Sequence, residues 1–377
     1  MYDRLTIIGS GFAGLAAAEK FRKLDSEAEI TIIGKSPHFV YLPSLIWIPS
    51  GKRTGDGITI ALQSWLERRN IRFHQAPATG LGDGGRIVKT EKGEIENDGL
   101  VIACGGRFIK KLPGIENAIV PCEGVAAGEE IRDRLKALEP GSTIAIGFAG
   151  NPKEPAAMRG GPMFEFLFGI DRQLRKEGRR DGIKMVFFCP APRPGNRLGE
   201  KAVDMLMERM RRQDIEIHVG HKIKSFENGK VRTEGGEFDA SLILFMPGMT
   251  GNKWFAGAGL PLSEGGLIKA NELCQVEGME RVYVAGDSGS FPGPGWMPKQ
   301  AHMAELQARA AAQNLFDEMA GRQPVTKFKT ELVCIIDSLD KGALVYRSPN
   351  RSVMLPNMRA LHWSKRIFET WHLRQYR

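Results

Sequence analysis

Cysteine is scarce in this sequence: Cys104, Cys122, Cys189, Cys274 and Cys334 stand singly, with no CxxC pair among them. That scatter excludes a disulfide framework and a zinc site, and no metal centre is expected. Each thiol, taken alone, reads as a small buried hydrophobe. Long apolar runs are missing as well, so no segment is expected to cross a bilayer as a helix. A strand from Leu5 to Ile8 begins almost at once, which argues against a signal peptide. Low-complexity linkers and tandem repeats are also lacking. Acidic residues are outnumbered, 44 against 53 Lys and Arg, leaving a formal charge of +9 that points to an acidic partner.

What is present is a series of strand–turn–helix units. Leu5 to Ile8 reads as a short strand, Leu15 to Leu24 as a helix and Glu29 to Ile33 as a second strand, together one βαβ unit. Leu100 to Ala103 is another buried strand. A second α/β block opens near Ser142 to Ile146, continues through a helix around Phe164 to Lys176, and reaches the strand Lys184 to Phe188. Strands at Leu242 to Phe245 and Val282 to Ala285 precede an Ala-rich helical stretch, Lys299 to Met319. From about Phe328 the chain changes to strand-like pieces and a basic aromatic tail.

The turn after the first strand reads Gly9-x-Gly11-x-x-Gly14, with Phe12 and Ala13 inside it, and opens a helix. This is the context a dinucleotide fingerprint requires: Gly9 for the tight turn, Gly11 for backbone approach to a pyrophosphate, Gly14 for close helix–sheet packing. The second strand does not end in the carboxylate that usually binds a ribose. Gly34 and Lys35 follow it, and Glu29 is too early, so Lys35, Ser36 or backbone groups are expected there. A second signal is Val282-Tyr-Val-Ala-Gly286-Asp287, whose Asp can accept bonds from ribitol hydroxyls. Joined by Ala103-Cys104-Gly105, these signals resemble the two-dinucleotide-binding-domain flavoproteins, the glutathione-reductase-like class. The resemblance implies an α/β fold of two Rossmann-like domains with FAD along the first. The expected division is 1–112 and 246–322 for a discontinuous FAD domain and 113–245 for the second domain. Residues 323–377 would form C-terminal strands and an amphipathic membrane-interface helix.

The second block lacks its own fingerprint. After Ile146 comes Gly147-Phe-Ala-Gly150-Asn-Pro-Lys-Glu-Pro, with the wrong glycine spacing and two prolines, so this domain is expected to be degenerate for NAD(P)H. At this point the chain resembles the sulfide:quinone oxidoreductases and the flavin subunit of flavocytochrome c sulfide dehydrogenase. The residues that carry the likeness are His38 to Leu45 with Trp47, Arg159-Gly-Gly-Pro162 with Phe164-Glu165-Phe166, Pro298-Lys-Gln-Ala-His-Met-Ala304, Cys334, and His362-Trp363 through Phe368-Glu369. Type II NADH dehydrogenases share several of these motifs. The resemblance implies FAD contacts from Pro43, Ala78, Lys299 and Gln300 besides those above. It implies sulfide, or a related sulfur compound, as donor and a membrane quinone as acceptor.

Where these sulfide oxidisers carry a pair of redox cysteines, this chain has Cys334 at one position and Arg159 at the other. Cys122 matches a third cysteine near the flavin. A one-cysteine mechanism, a Cys122–Cys334 pair, and a relative that oxidises another substrate are all compatible with that pattern, as is a plain structural role for both thiols. Cys189 and Cys274 read as structural. Lys299 at a helix start would favour the anionic reduced flavin. Glu165 either moves protons near the flavin or caps a helix. In the tail, Leu361, Ile367, Phe368 and Trp371 are expected on one helix side and His362, Lys365, Glu369 and His372 on the other. With Arg351, Arg359, Arg366, Arg374 and Arg377 this reads as an interfacial anchor to an anionic membrane, monotopic on the cell membrane. A plain core-packing terminal helix is the alternative. Phe39, Trp363 and Phe368 are candidate quinone lining, homo-oligomer formation is compatible, and nucleic acid is not an expected partner. Delivery of electrons to a cytochrome partner, an NAD(P)H-fed quinone reductase and a non-catalytic redox-responsive flavoprotein are the competing functions.

Overall fold

A computed structural model describes residues 3–377. Its centre is a five-stranded, wholly parallel sheet in the order Val282–Val284, Gly99–Ile102, Arg4–Ile8, Glu29–Gly34, Ile71–Gln75. A parallel sheet is covered on both faces, so its middle strands are apolar throughout rather than alternating. Gly99–Ile102 is buried at every position. The Phe12–Leu24 helix crosses from the first strand to the second. It packs along the Ala301–Met319 helix, and both contribute alanines to the contact, Ala16 to Ala18 from one and Ala308, Ala311 and Ala312 from the other. Such small side chains let two helix axes approach closely and bring the two distant segments together over one sheet.

The second sheet, also parallel, runs Ile215–Val219, Lys184–Cys189, Thr143–Phe148, Leu242–Met246. Thr143–Phe148 and Leu242–Met246 are buried along their whole length. Stacked phenylalanines fill both of its faces: Phe164 lies on Phe187 at 5.5 Å, and Phe188 on Phe245 at 5.9 Å. At its edge Asp171, fully buried in the Gly161–Lys176 helix, receives Arg180 Nε at 2.8 Å and Arg175 Nε at 2.9 Å. The rest of the Arg180 guanidinium donates to the carbonyls of Ile183, Gln213 and Asp214, so this buried charge is fully partnered.

The chain ends in an antiparallel meander, Leu332–Asp337, Gly342–Ser348 and Arg351–Met358, followed by the Arg359–Tyr376 helix. This helix has the expected polar and aromatic sides except at Leu361, which lies with the polar side. Leu361 is buried together with His362, Glu369, His372, Leu373 and Tyr376, and Lys365 also points inward. Trp363, Ile367, Phe368 and Trp371 are instead exposed, at 54, 67, 60 and 52 %. The reason is electrostatic pairing. His362 Nδ1 meets Asp337 at 2.6 Å, Lys365 meets Glu165, His372 Nε2 meets Glu305 at 2.6 Å, and Glu369 takes Arg53 and the Ser44 hydroxyl. Buried acids on the body of the protein draw the polar stripe inward and turn the aromatic stripe out.

Arg180→Met would leave Asp171 with Arg175 alone and take the Arg180 donor from the Ile183 and Asp214 carbonyls, while the Gln213 carbonyl keeps Arg175 Nη2. We predict a loss of about 3 kcal/mol, the low end for breaking a buried pair, read as a shift of the urea unfolding midpoint at constant slope.

Candidate functional site

Three turns that lie far apart in sequence converge at the carboxyl ends of the first sheet. Gly9 has φ +116°, and a Cβ there would run into the Ala103 carbonyl. A Cβ on Gly14 would run into the carbonyl of Gly9 itself, so the fingerprint turn folds back on its own helix as the motif requires. The Gly286 turn stands against Ala13 and Ala304, 3.3 and 3.1 Å from where its Cβ would be. Gly11 and Gly105, by contrast, face open space within 4 Å. Tight glycines hold the turns in place and open ones leave a cradle. Gly105 accepts Ser288 Oγ and Asn252 Nδ2, both at 3.0 Å, which fixes the Ala103–Gly105 turn. Asn252 Nδ2 also donates to Cys104 Sγ at 3.4 Å, and burial holds that thiol up at about 11. Cys104 is therefore a packed, hydrogen-bonded residue.

The remaining sequence candidates fall at different distances from this cradle. Ser36 receives Ser10 Oγ on its carbonyl and holds His38 Nδ1 at 2.7 Å, and Lys35 stands near Cys104. Pro43 opens the short helix Leu42–Trp47, and Ala78 begins a strand beside the first sheet. Phe12 turns from the cradle and packs on Phe39, Tyr41 and His372. Lys299 donates to the carbonyls of Gly286 and Gly289. Burial lowers it to about 8, against the pull of Asp287 and Glu154. Gln300 precedes the Ala301–Met319 helix and keeps a buried Oε1 without a partner. Phe39 is buried against Phe12 and Tyr376, whereas Trp363 and Phe368 lie on the outer helix face, so these three do not share one lining. Glu29 is taken by Arg72 at 2.6 Å, consistent with its not serving a ribose.

Next to the cradle lies a polar cluster that sequence reasoning saw only in part. Asp287 is ion-paired with Arg159, whose guanidinium also reaches Cys122. Two residues on, a Cβ at Gly161 would stand 3.7 Å from Cys334 Sγ. Glu165 accepts the backbone N–H of Asp337 at 2.9 Å and pairs with Lys365, so it caps no helix. Burial drives Glu165 up to about 7, with Lys365 opposing. Asp337, not foreseen as a site residue, joins Trp47 Nε1 at 3.0 Å, Leu339 N at 2.8 Å and His362. The available signal was an acid closing the apolar strand Leu332–Asp337, facing a helix with His362, Lys365, Glu369 and His372 at spacings of three and four. Burial holds Cys122 at about 11 and Cys334 at about 12; both thiols feel Glu165, and both are free.

The second sheet differs from the first at this point. Thr143–Phe148 does not turn directly into a helix: residues 149–160 intervene and the helix starts at Gly161. Asn151 within that loop donates to the carbonyls of Met249 and Gly265, at 2.9 and 3.1 Å, and ties it to the neighbouring segment.

The model of one family, the pyridine nucleotide-disulphide oxidoreductases, matches residues 3–151 and 174–308. The chain belongs to that family. It is a flavin-dependent oxidoreductase, and FAD is its cofactor. The cradle fits that group: open glycines at 11 and 105, the carboxylate of Asp287, and Lys299 beside it. Among its relatives, a sulfide-quinone reductase of Aquifex aeolicus is 25% identical over 405 residues, covering 99% of this chain and 91% of that one. A type II NADH:quinone oxidoreductase of Staphylococcus aureus is 23% identical, covering 92% and 90%. In three dimensions the sulfide:quinone oxidoreductase of A. aeolicus superposes with a TM-score of 0.89 at 23% identity, over 100% of this chain and 91% of that one. The two-sheet, glutathione-reductase-like fold expected from the sequence is thus the fold observed.

Glu165 gives a pH test. Its pKa in the folded chain lies above the unfolded value, so the native state holds the proton more tightly. The stability this contributes is present below about pH 4.5 and is lost as pH rises through about 7. Urea midpoints measured across that window should fall for the parent and lose this component in Glu165→Gln; parallel profiles would refute the assignment.

Proposed function

We propose that this chain is an FAD-dependent sulfide:quinone oxidoreductase-type enzyme that works while lying on a membrane. The observation that carries the reading is the cluster of Cys122, Arg159, Glu165, Cys334 and Lys365. It stands beside the Asp287 turn and beneath a C-terminal helix whose outer face is aromatic. Similarity to a sulfide-quinone reductase over nearly the whole chain supports it. FAD, when bound, would supply two-electron redox chemistry. The protein's own part is to hold the flavin with the Gly9–Gly14, Ala103–Gly105 and Gly286–Asp287 turns and to set charge around it. Lys299, carrying a lowered pKa, would sit as a cation or donor beside the reduced flavin. A thiol of the cluster would bond the sulfide sulfur only with loss of two electrons, for which the flavin would be the oxidant, and Glu165 with Lys365 would hold or move the two protons released.

The donor in this reading is sulfide or a related sulfur compound and not a nicotinamide. A phosphate-binding turn needs its helix N-terminus at the end of the strand. Here residues 149–160 stand between them, pinned by Asn151. Domain limits at 1–112 with 246–322, 113–245, and 323–377 describe the same division of labour: flavin, a second domain degenerate for NAD(P)H, and membrane contact.

Among the described residues no helix is long and apolar enough to span a membrane. Trp363, Ile367, Phe368 and Trp371 form the exposed apolar face, with Leu355 and Met358 nearby in sequence and similarly open. Arg351, Arg359, Arg366 and Arg374 flank it, and Arg366 lies over the Trp363 ring at 4.9 Å. Aromatics with arginines around them suit the headgroup region of an anionic bilayer, and a membrane quinone would be met from there.

Two measurements test the reading. Sulfide added anaerobically should bleach the flavin absorbance, and NADH should not; the reverse pattern would make the chain an NADH-fed reductase instead. Co-flotation with vesicles containing anionic lipid should fall at least tenfold when Trp363, Ile367, Phe368 and Trp371 are all changed to Ser. Because all four are exposed, the variant should unfold at the parent's temperature, and undiminished flotation would remove this face from membrane contact.

A further inference from the structure

We infer that Arg159 sets the electron affinity of the bound flavin by neutralising the carboxylate of Asp287. Asp287 stands in the turn that closes one side of the flavin cradle, and its side chain is only 10 % exposed. Arg159 Nη2 donates to its Oδ2, and the two residues form an ion pair across 128 positions of sequence. The arginine side chain is itself mostly covered, so the pair is less screened by water than one on the surface. Other charged groups at this edge are engaged elsewhere. Lys299 Nζ donates to the Gly286 carbonyl at 3.3 Å and to that of Gly289, and Glu154 accepts Ser290 Oγ at 3.2 Å. Arg159 is therefore the cation that compensates the Asp287 carboxylate.

The placement of Arg159 is built into the loop that carries it. Residues 149–160 are fastened along their length: Asn151 Nδ2 donates to the Met249 and Gly265 carbonyls, Arg197 Nη1 to the Ala156 carbonyl at 3.0 Å, and the Met249 N–H to the Ala157 carbonyl at 2.9 Å. A Cβ on Gly160 would come within 2.8 Å of the Phe148 ring, and one on Gly161 would stand 3.7 Å from Cys334 Sγ. The backbone that follows Arg159 is thus packed against its neighbours while the guanidinium reaches the Asp287 turn. Two electrons and one proton convert oxidised flavin into a reduced form carrying one more negative charge. An unpaired carboxylate at the cradle would oppose that added charge, and a carboxylate paired with a cation opposes it far less. A guanidinium keeps its proton at any pH at which a protein is folded, so the compensation is permanent. Arg159 acts on the flavin through Asp287 and is a positioning residue.

The inference concerns reduction of the flavin itself and holds whichever donor supplies the electrons, so it stands or falls apart from the sulfide reading. The FAD-loaded protein is titrated anaerobically with dithionite in the presence of a reference dye, and the flavin midpoint potential is read from the two absorbance spectra. Arg159→Met should make reduction at least tenfold less favourable, a fall of about 30 mV for a two-electron couple. Arg159→Lys should restore most of the loss. Arg159→Gln, neutral but able to donate to Asp287, should match Met and covers the case in which Met does not fold. Asp287→Asn alone, which leaves Arg159 unopposed, should raise the potential. Combined with either neutral variant it should bring reduction back to within about threefold of the parent, because charge and counter-charge are then both gone. A parental potential in the Met or Gln variant, a Lys variant as low as Met, or an Asp287→Asn variant no higher than the parent would each overturn the inference.

Discussion

A charge taken out of water has to be partnered, and that constraint organises the functional half of this protein. Glu165, Asp337, Glu305 and Asp287 are all buried or nearly so. Each is met by a cation or imidazole from elsewhere in the chain: Lys365, His362, His372 and Arg159 in turn. Left single, any of these acids would cost several kcal/mol or take up a proton. Three of the four partners come from one helix, so the pairing also fixes how the C-terminal helix sits. Its rotation is set by charge, and the aromatic face is turned outward as a result.

The same constraint connects the flavin site to the surface. Arg159, Gly161 and Glu165 follow one another along the loop and first turns of a single helix. They touch in order the Asp287 turn, Cys334, and the Asp337–Lys365 network. Asp337 in turn holds Trp47 and His362. The loop before the Gly161–Lys176 helix and its first turns therefore run from the cradle to the helix that carries the exposed aromatics. In the proposed function that places sulfur chemistry, flavin and quinone in one connected region, and it gives the loop 149–160 a purpose other than nicotinamide binding.

An arginine at position 159 shapes the chemistry available in that region. A guanidinium cannot carry sulfur, but it holds a carboxylate and a thiol at once and never gives up its charge. The chain keeps two thiols near Glu165, and the cations around them are already paired, Arg159 with Asp287 and Lys365 with Glu165.

Local pattern was enough to pick out the central strands of the two parallel sheets, the fingerprint turn and the Gly286–Asp287 turn, but not the edge strands Ile71–Gln75 and Ile215–Val219. Unbroken apolar strands, glycine spacing and helix periodicity act over a few residues and so can be read directly. Cys122, Glu165, Lys299 and Cys334 were legible as candidates because they stand in short motifs. The partner of Asp287 was not: Arg159 meets it across 128 positions of sequence, and no local signal reports that distance. Asp337 was missed for the same reason, since an acid at the end of a strand looks like solvent-facing punctuation until a histidine from the last helix covers it. The C-terminal helix shows the difference most clearly. Its sequence determined that one face is aromatic and the other polar. Only the tertiary structure decided which faces water, because the buried carboxylates that meet the polar face come from distant parts of the chain.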